Sequence, residues 1–402
     1  MSVLRYLRMF LPAWRTKQGR RRRANAVASL AALGVLGCSS LVSLGAGAAF
    51  AATPAAAQSW RIVPGPRLAP NNVLNGLAAV SKRLAWAVGI ERFSSNGSRP
   101  GRPLIERWNG HAWSRARLPS LWPGGLGFVA ASSASNAWAL GQEPSGTTEH
   151  LLHWTGRGWR NSRFPGTPGT FYGNLGITAA PGGRAWLIAS PSDSSQIFSW
   201  NGTKWGPQAY PCASTLCNLT RIVARTGKDA WAVGNYVTSS LDGGPLALHW
   251  TGRSWRATPV PFVKFGYLTG IFPASATSAW AVGGVNNSSR MLLYHWNGVS
   301  WHKNRRVPVG LTAPSLGELT GISGDASGHL WIFDFGPQAG NRATYLRYDG
   351  HRWSTIRGAL IAGQTRVTVR DVAAIPGTSG AWSVGLGFVP VFEARARIER
   401  YG

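Results

Sequence analysis

Charged side chains are scarce in this chain of 402 residues: they make up 14%, and only 14 Asp and Glu stand against 42 Lys and Arg. So low a content excludes a highly charged disordered protein and a coiled coil. The acidic residues are mostly scattered singly, so the sequence does not show the paired carboxylates that a glycosidase uses. It also contains no nucleophile elbow and no phosphate-binding glycine loop. We therefore predict no catalytic residues, no metal and no cofactor.

The N-terminal segment has no acidic residue before Ala26, whereas eight cations fall in residues 1–25. From Ala26 to Ala52 the chain carries no charge, and small residues follow as AFAAT at 49–53. This order is typical of a secretory signal peptide, so we predict a signal over 1–51, a short linker over 52–58 and a secreted protein. Two alternatives stay open: an uncleaved membrane anchor at the cell surface, because the apolar run is long enough to span a bilayer, and a lipoprotein box, VLGC at 35–38.

Cysteine is rare, with three residues in the chain. Removal of the signal leaves Cys212 and Cys217, and an even pair in an exported chain predicts one local disulfide. The neighbouring run AYPCASTLCNLT contains no His, Asp or Glu. A zinc site at these cysteines is therefore not expected.

Tryptophan is abundant, with 21 residues, and its positions reveal an internal repeat. A run such as LAWAVG (84–89) or SAWAVG (278–283) recurs seven times, and its tryptophans are spaced 45 to 52 residues apart: Trp86, Trp138, Trp186, Trp231, Trp280, Trp331 and Trp382. About twenty residues after each comes a second signature of the type HWNGVSW (295–301). The seventh copy stops at ERYG (399–402).

Each unit predicts four short strands, the second of which carries the AWAVG run. The Asn-Gly, Thr-Gly or Asp-Gly pair predicts a two-residue hairpin between the third and fourth strands, with Gly at positive φ. In the first unit this hairpin would set Trp108 opposite His111 and Glu106 opposite Trp113. The two tryptophans would then be diagonal neighbours on one face.

Seven such units predict an all-β fold, a seven-bladed β-propeller of four-stranded antiparallel blades over residues 59–402. The last unit lacks its fourth strand, and SWRIVPGP (59–66) resembles the fourth strand of unit four, SWRATPVP (254–261). We therefore predict that the N-terminal strand completes the last blade, which would leave the ring no open edge.

The repeats resemble those of the kelch and galactose-oxidase-like propellers. AVGG (281–284), followed by Trp296 and Trp301, is similar to the glycine pair and spaced aromatic pair of that family. The Trp-rich units also resemble those of uncharacterised exported bacterial propellers. The resemblance implies a propeller over about residues 59–402 and no particular activity.

Histidine does not form a metal site in this pattern, because His153, His249 and His295 are the same third-strand position in different blades. The inner strands are more informative. When the units are aligned by counting back from each repeat tryptophan, one inner-strand position holds mostly small or neutral residues. Arg221 and, after one inserted residue, Asp371 are charged exceptions at that position, and Arg370 is a charged exception at the position before it. These three are our candidate ligand-binding residues. A salt bridge across the channel, or bonds from these side chains to loop carbonyls, is the alternative.

The charge of the chain favours anionic partners. Its formal net charge is +28, and the 34 cations and 14 acids beyond residue 25 still give +20, with a concentration at HKNRR (302–306). No motif for specific nucleic-acid binding accompanies it. We predict a monomeric, non-catalytic binding or scaffold module whose partner is an anionic cell-wall polymer, a glycan or another surface protein.

The recognition face would consist of the channel mouth, the interblade loops and the variable loops at 90–102, 142–148, 190–195, 235–244, 284–290 and 336–342. The alternative function is an extracellular carbohydrate-active enzyme, a glycosidase or sugar oxidase. Three or more acidic or Arg side chains converging at one channel mouth would favour that alternative.

Overall fold

The computed structural model describes residues 58–94, 97–167, 169–170, 172–191, 194–212, 214, 216–240, 242–288, 290–304, 319–334, 338–339, 341–389 and 393–402. The predicted signal segment 1–51, nearly all of the 52–58 linker, and Arg305 and Arg306 of the basic run lie outside these residues. In the part of the chain that the structure describes, no helix is both long and apolar enough to cross a membrane.

The first strand, β1 (Trp60–Ile62), belongs to the last blade, and the next twelve strands form the first three blades in sequence order. Their bounds are β2 (Asn72–Ser81), β3 (Leu84–Phe93), β4 (Pro100–Trp108) and β5 (Trp113–Arg115); β6 (Gly125–Ser133), β7 (Asn136–Gln142), β8 (Glu149–Trp154) and β9 (Trp159–Ser162); and β10 (Asn174–Ala180), β11 (Arg184–Ser190), β12 (Gln196–Trp200) and β13 (Trp205–Gln208). A short 3-10 turn, Pro181–Gly183, separates β10 from β11.

Blades 4 to 6 repeat the same order. Their strands are β14 (Leu216–Thr226), β15 (Asp229–Val237), β16 (Gly243–Trp250) and β17 (Trp255–Ala257); β18 (Gly266–Ser275), β19 (Ser278–Val285), β20 (Met291–Trp296) and β21 (Trp301–Lys303); and β22 (Leu319–Gly324), β23 (Leu330–Asp334), β25 (Thr344–Tyr348) and β26 (Trp353–Arg357). A two-residue strand, β24 (Gln338–Ala339), leaves blade 6 and pairs with the inner strand of blade 7. Blade 7 contains β27 (Arg366–Ala374), β28 (Ala381–Val389) and β29 (Glu393–Tyr401).

The N-terminal strand closes the ring, as predicted. Strand β1 pairs antiparallel with β29, with Trp60 opposite Tyr401, and the amide of Val63 donates to the carbonyl of Ile398 over 3.0 Å. Inner strands of consecutive blades contact one another all the way round, including β27 with β2. The fold is therefore an all-β, seven-bladed propeller whose last blade contains both ends of the repeat region.

The hydrophobic core lies between neighbouring blades. The repeat tryptophans are between 0% and 8% exposed, and each packs against aromatic side chains of the following blade. Trp86, for example, lies 4.9 Å from Trp154 and 5.1 Å from Trp159 between ring centroids. Because an indole buries about 150–250 Å² and aromatic pairs add energy beyond area, these contacts stabilise each interblade seam.

The predicted two-residue hairpin is wrong. Trp108 lies directly opposite Trp113, so a four-residue loop of residues 109–112 joins the strands, and Glu106 lies opposite Arg115. The side-chain oxygen of Asn109 accepts hydrogen bonds from the amides of His111 and Ala112, both over 2.9 Å. This local bonding extends the loop and changes the register, although Gly110 does take a positive φ of 102°.

The predicted disulfide is confirmed: Cys212 and Cys217 are bonded at the entry to blade 4. Cys217 is the second residue of β14 and is 1% exposed. Ser194 and Ser195 of the preceding blade interact with the same strand, where their hydroxyls accept hydrogen bonds from the amides of Cys217 and Leu219. The bond therefore fixes a loop whose far end is already held by the sheet.

Replacing both cysteines by serine is expected to leave the protein folded, with a loss of only about 2 kcal/mol, because the loop that the bond closes is short. Urea denaturation of the double variant, beside the oxidised and the reduced parent, measures this loss. Reduction of the parent should reproduce the effect of the substitutions. Failure of the double variant to fold would contradict the expectation.

Candidate functional site

A β-bulge shapes the channel wall in six of the seven blades. Six inner strands have a shift of register at the same level, for example between Leu74 and Gly76 in blade 1 and between Val369 and Asp371 in blade 7, whereas blade 3 pairs without a shift there. A bulge leaves one residue unpaired and re-aims its side chain. Arg370 is the bulge residue of blade 7. Arg221 and Asp371 follow the bulges of blades 4 and 7, and their pairing partners, Val233 and Val384, are equivalent.

Two other bulge residues tie their blade to the next. The side-chain amide of Asn75 donates to the carbonyl of Leu126 over 3.1 Å, and the hydroxyl of Thr220 donates to the carbonyl of Leu268 over 2.6 Å. The leucine carbonyls are equivalent positions of blades 2 and 5. A polar bulge residue therefore has an ordinary structural role in this ring.

The three sequence-predicted site residues lie together in the channel. Arg221, Arg370 and Asp371 all line one cavity of about 50 Å³, whose remaining wall is formed by Asn75, Gly127, Phe128, Val129 and Ile177. This volume holds one or two water molecules. The three charged residues lie near the middle of their inner strands: Arg221 is the sixth of the eleven residues of β14, and Arg370 and Asp371 are the fifth and sixth of the nine residues of β27. The cavity therefore lies inside the channel.

Asp371 is held mainly by the backbone. Its Oδ2 accepts a hydrogen bond from the amide of Leu77 in blade 1, and its Oδ1 accepts one from Val372, both over 2.9 Å. Burial raises the pKa of Asp371, and Arg221 and the two amides oppose that rise. The carboxylate therefore joins blade 7 to blade 1 within the ring.

The two arginines differ in exposure. Arg370 is 5% exposed, and burial lowers its pKa to about 10, which leaves the guanidinium charged at neutral pH. The Arg221 side chain is 39% exposed and reaches across the channel, where Nη2 lies 3.9 Å from Oδ1 of Asp371. The alternative that the sequence left open, a salt bridge across the channel, is therefore present, and a ligand-binding role for these residues stays a prediction.

The third-strand histidines occupy structural positions, as the repeat predicted. His153, His249 and His295 stack on the repeat tryptophans of their own blades, at centroid distances of 3.9, 4.0 and 4.3 Å. His150 stacks instead on Trp122, so neighbouring histidines of one strand contact different rings. Among the described residues, no three His, Cys, Asp or Glu side chains form a group that could hold a metal ion.

Glu106, a buried carboxyl group at the seam between blades 7 and 1, is not among the site residues that the sequence predicted. It is 1% exposed, and neither carboxyl oxygen has a hydrogen-bond partner among the residues described. Burial raises the pKa of Glu106 to about 8. The shared runs IERW (105–108) and IERY (398–401) were the available signal, because the other blades have Leu, Phe or Tyr at this position.

Glu399 is the equivalent residue of blade 7, but it is paired. It binds the guanidinium of Arg397, with Nε 2.5 Å from Oε1, and Oε2 accepts a hydrogen bond from the amide of Ala359 over 2.8 Å. At the corresponding positions around Glu106 stand Leu104, which is apolar, and Pro66, which has no amide hydrogen. Two local substitutions thus explain why one buried carboxyl group is paired and the other is not.

No protein-family model matches the chain, and no curated protein matches it. Solved structures do resemble it. A polysaccharide lyase, Uly1, is 10% identical, with a TM-score of 0.52 over 87% of this chain and 93% of that one. YCF48 from Cyanidioschyzon merolae is 16% identical (TM-score 0.49; 85% and 98% covered), and the fucose-specific lectin of Aleuria aurantia is 14% identical (0.48; 73% and 100%). At such identities the likeness shows the propeller fold alone.

Proposed function

We propose that this protein is an exported, non-catalytic binding propeller that holds a carboxylate of an anionic cell-wall glycan in the cavity of its channel. The observation that carries the proposal is the state of Arg221. Its guanidinium is partly exposed, lines the cavity and forms one ion pair of 3.9 Å. Asp371 meanwhile accepts hydrogen bonds from two backbone amides, so it keeps partners when Arg221 turns to a ligand.

The chemistry of the cavity suits a single carboxylate group. Arg221 and Arg370 contribute two positive charges and Asp371 one negative charge, so an entering anion meets a net positive site. A guanidinium presents its donors in a fork that matches the two oxygens of a carboxylate. Because the cavity is only about 50 Å³, it accepts the charged group of a ligand and leaves the rest of the ligand to the loops.

The rival function, a carbohydrate-active enzyme, gains one observation: three Arg and Asp side chains do converge in the channel. A glycosidase of the usual kind, however, needs two carboxyl groups flanking the scissile bond. Asp371 is the one carboxyl residue that lines this cavity, and backbone amides occupy both of its oxygens. Binding without turnover is therefore the better-supported function.

Export belongs to the proposal as well. We infer cleavage after Ala51 from the charge-free run that precedes it, and mass determination of the protein from the culture medium tests this site.

The relationship to the kelch propellers is likewise an inference. The glycine at 283 has a packing cause in this fold, since a Cβ there would overlap the carbonyl of Tyr267.

We expect Arg221→Ala to weaken binding to carboxylated wall polymers by about 10- to 100-fold, the scale of a charged hydrogen bond. Stability should change by less than about 1 kcal/mol, because the lost ion pair is long and its arginine is partly exposed. Melting curves and binding to an array of acidic and neutral glycans, measured on the same sample, test both statements.

Arg157→Ala is the matched control, because Arg157 is an exposed arginine of the blade 2 hairpin, outside the channel. It should bind as the parent does. A large loss of stability in Arg221→Ala with unchanged affinity per folded molecule would contradict the proposed site. Release of sugar products by the parent would support the enzyme instead.

A further inference from the structure

A second cleft lies between blades 3 and 4, where one blade departs from the repeat. In six blades a His or Arg side chain covers the repeat tryptophan. Histidines stack on it in blades 2, 4 and 5. Arginines lie over it at 5.4, 5.6 and 5.3 Å in blades 1, 6 and 7, as Arg107, Arg347 and Arg400. Blade 3 has Ser199 at this position, directly opposite Trp186.

The residue paired with Ser199 on the outer strand is also small. It is Gly206, and a Cβ built there would meet no atom within 4 Å. The equivalent pairs elsewhere contain at least one His or Arg: Arg107–Ser114, His153–Arg160, His249–Arg256, His295–His302, Arg347–Ser354 and Arg400–Arg61. The two small residues leave a cleft of about 280 Å³.

The cleft has the lining of a site for an acidic sugar. Arg184 and Lys204 are exposed at its rim, form no ion pair among the described residues and have no acidic neighbour in the lining. Its neutral polar groups are the Ser199 hydroxyl and the amides of Asn201 and Gln208. Its volume is close to the lower end of small-ligand sites, about 300 Å³.

Indole groups form the apolar wall of the cleft. Trp186 is 1% exposed and lies beneath it, while Trp250 enters from blade 4. The buried Nε1–H of Trp250 has no hydrogen-bond partner in the described structure. In blades 1 and 2 the equivalent indoles donate to backbone carbonyls, Trp108 to Lys82 and Trp154 to Ala134. Other buried indoles, Trp86, Trp138 and Trp186 among them, also lack a partner in the described structure, so Trp250 contributes to the cleft as an apolar wall.

We propose that this cleft binds one carboxylated sugar ring, a hexuronic acid unit of an anionic glycan. Arg184 and Lys204 would receive the carboxylate, the hydroxyl and amide groups would bond the ring hydroxyls, and Trp250 would face its C–H surface. The cleft lies near the hairpin 201–204, at the opposite end of the blade from the loops between second and third strands. It is therefore a site separate from the channel.

Sodium glucuronate is the probe, with glucose and inorganic phosphate as comparison ligands, and calorimetric titration is the measurement. The parent should bind glucuronate and not glucose. Ser199→His fills the cleft with the imidazole that blades 2, 4 and 5 already carry, so it should fold normally and lose binding. Lys204→Gln should weaken binding about tenfold or more, as for a lost charged hydrogen bond.

Arg352→Gln is the matched control, because Arg352 occupies the position of Lys204 in blade 6, and it should bind as the parent does. Glucuronate binding retained in Ser199→His but lost in Arg221→Ala would assign it to the channel and overturn this inference. Phosphate binding as tight as glucuronate binding would reduce the cleft to an anion site and would also overturn it. Loss in Ser199→His with retention in Arg221→Ala supports the cleft whether or not the channel proposal holds.

Discussion

A chain that lacks residues 59–66 is expected to melt far below the full protein and to associate through its open blade. The deletion removes β1 and with it Trp60, which is 5% exposed and lies 4.3 Å from Tyr345, 5.1 Å from Trp331 and 5.6 Å from Tyr401 between ring centroids. Burial of this indole alone contributes up to about 4–6 kcal/mol. The unpaired edge of β29 would present free backbone groups to other chains.

Differential scanning calorimetry and size-exclusion chromatography measure the two effects. Deletion of residues 52–58 removes a similar length just before β1 and serves as the control, which should melt as the parent does. Trp60→Ala removes the indole but keeps the backbone of β1, so it should lower the melting temperature by an intermediate amount without causing association. Parent-like melting of the 59–66 deletion would show that the N-terminal strand does not close the ring.

Glu106→Leu is expected to stabilise the protein, and increasingly so as the pH rises. The folded state keeps the Glu106 proton until a pH of about 8, whereas the unfolded chain loses it near 4.5. Unfolding therefore releases a proton between these values, so the stability of the parent falls as pH rises through this window. The cost reaches about 3 kcal/mol at pH 7 and about 5 kcal/mol above pH 8, at 1.36 kcal/mol per pKa unit.

Leucine is the natural replacement, because Leu152, Leu248 and Leu346 occupy the same position in blades 2, 4 and 6, each fully buried. Urea denaturation of parent and variant at pH 5, 7 and 9 measures the difference, which should be small at pH 5 and largest at pH 9. A difference that does not grow with pH would show that Glu106 does not titrate in this range.

The matched variant Glu399→Leu is expected to have the opposite sign. It makes the same replacement at the equivalent position of blade 7, but it leaves Arg397, whose side chain is 3% exposed, without its carboxylate. Breaking a buried pair from one side costs about 3–5 kcal/mol. Stabilisation by both variants would show that carboxyl groups at this position are unfavourable whatever their partners.

The sequence alone determined the fold, because the information for it is local and repeated. Each blade carries its own tryptophans, turns and strand lengths, and the spacing of Trp86, Trp138 and their equivalents counts the blades. The likeness of SWRIVPGP to a fourth strand predicted the closure, and the even pair Cys212 and Cys217 that remains after the signal predicted the disulfide. Alignment of the units also singled out Arg221, Arg370 and Asp371 as departures from the inner-strand pattern.

Only the tertiary structure decided how those departures meet. Arg221 and Asp371 are 150 residues apart, and the curvature of the ring and two bulges bring their charged atoms within 3.9 Å. The hairpin register depended on the side chain of Asn109 bonding two backbone amides, which the Asn-Gly pair does not specify. Glu106 and Glu399 both stand between Ile and Arg in sequence, yet Pro66 and Leu104 around one, and Ala359 and Arg397 around the other, give them opposite environments. A residue's position within its repeat depends on its own blade, whereas several of its partners come from other blades.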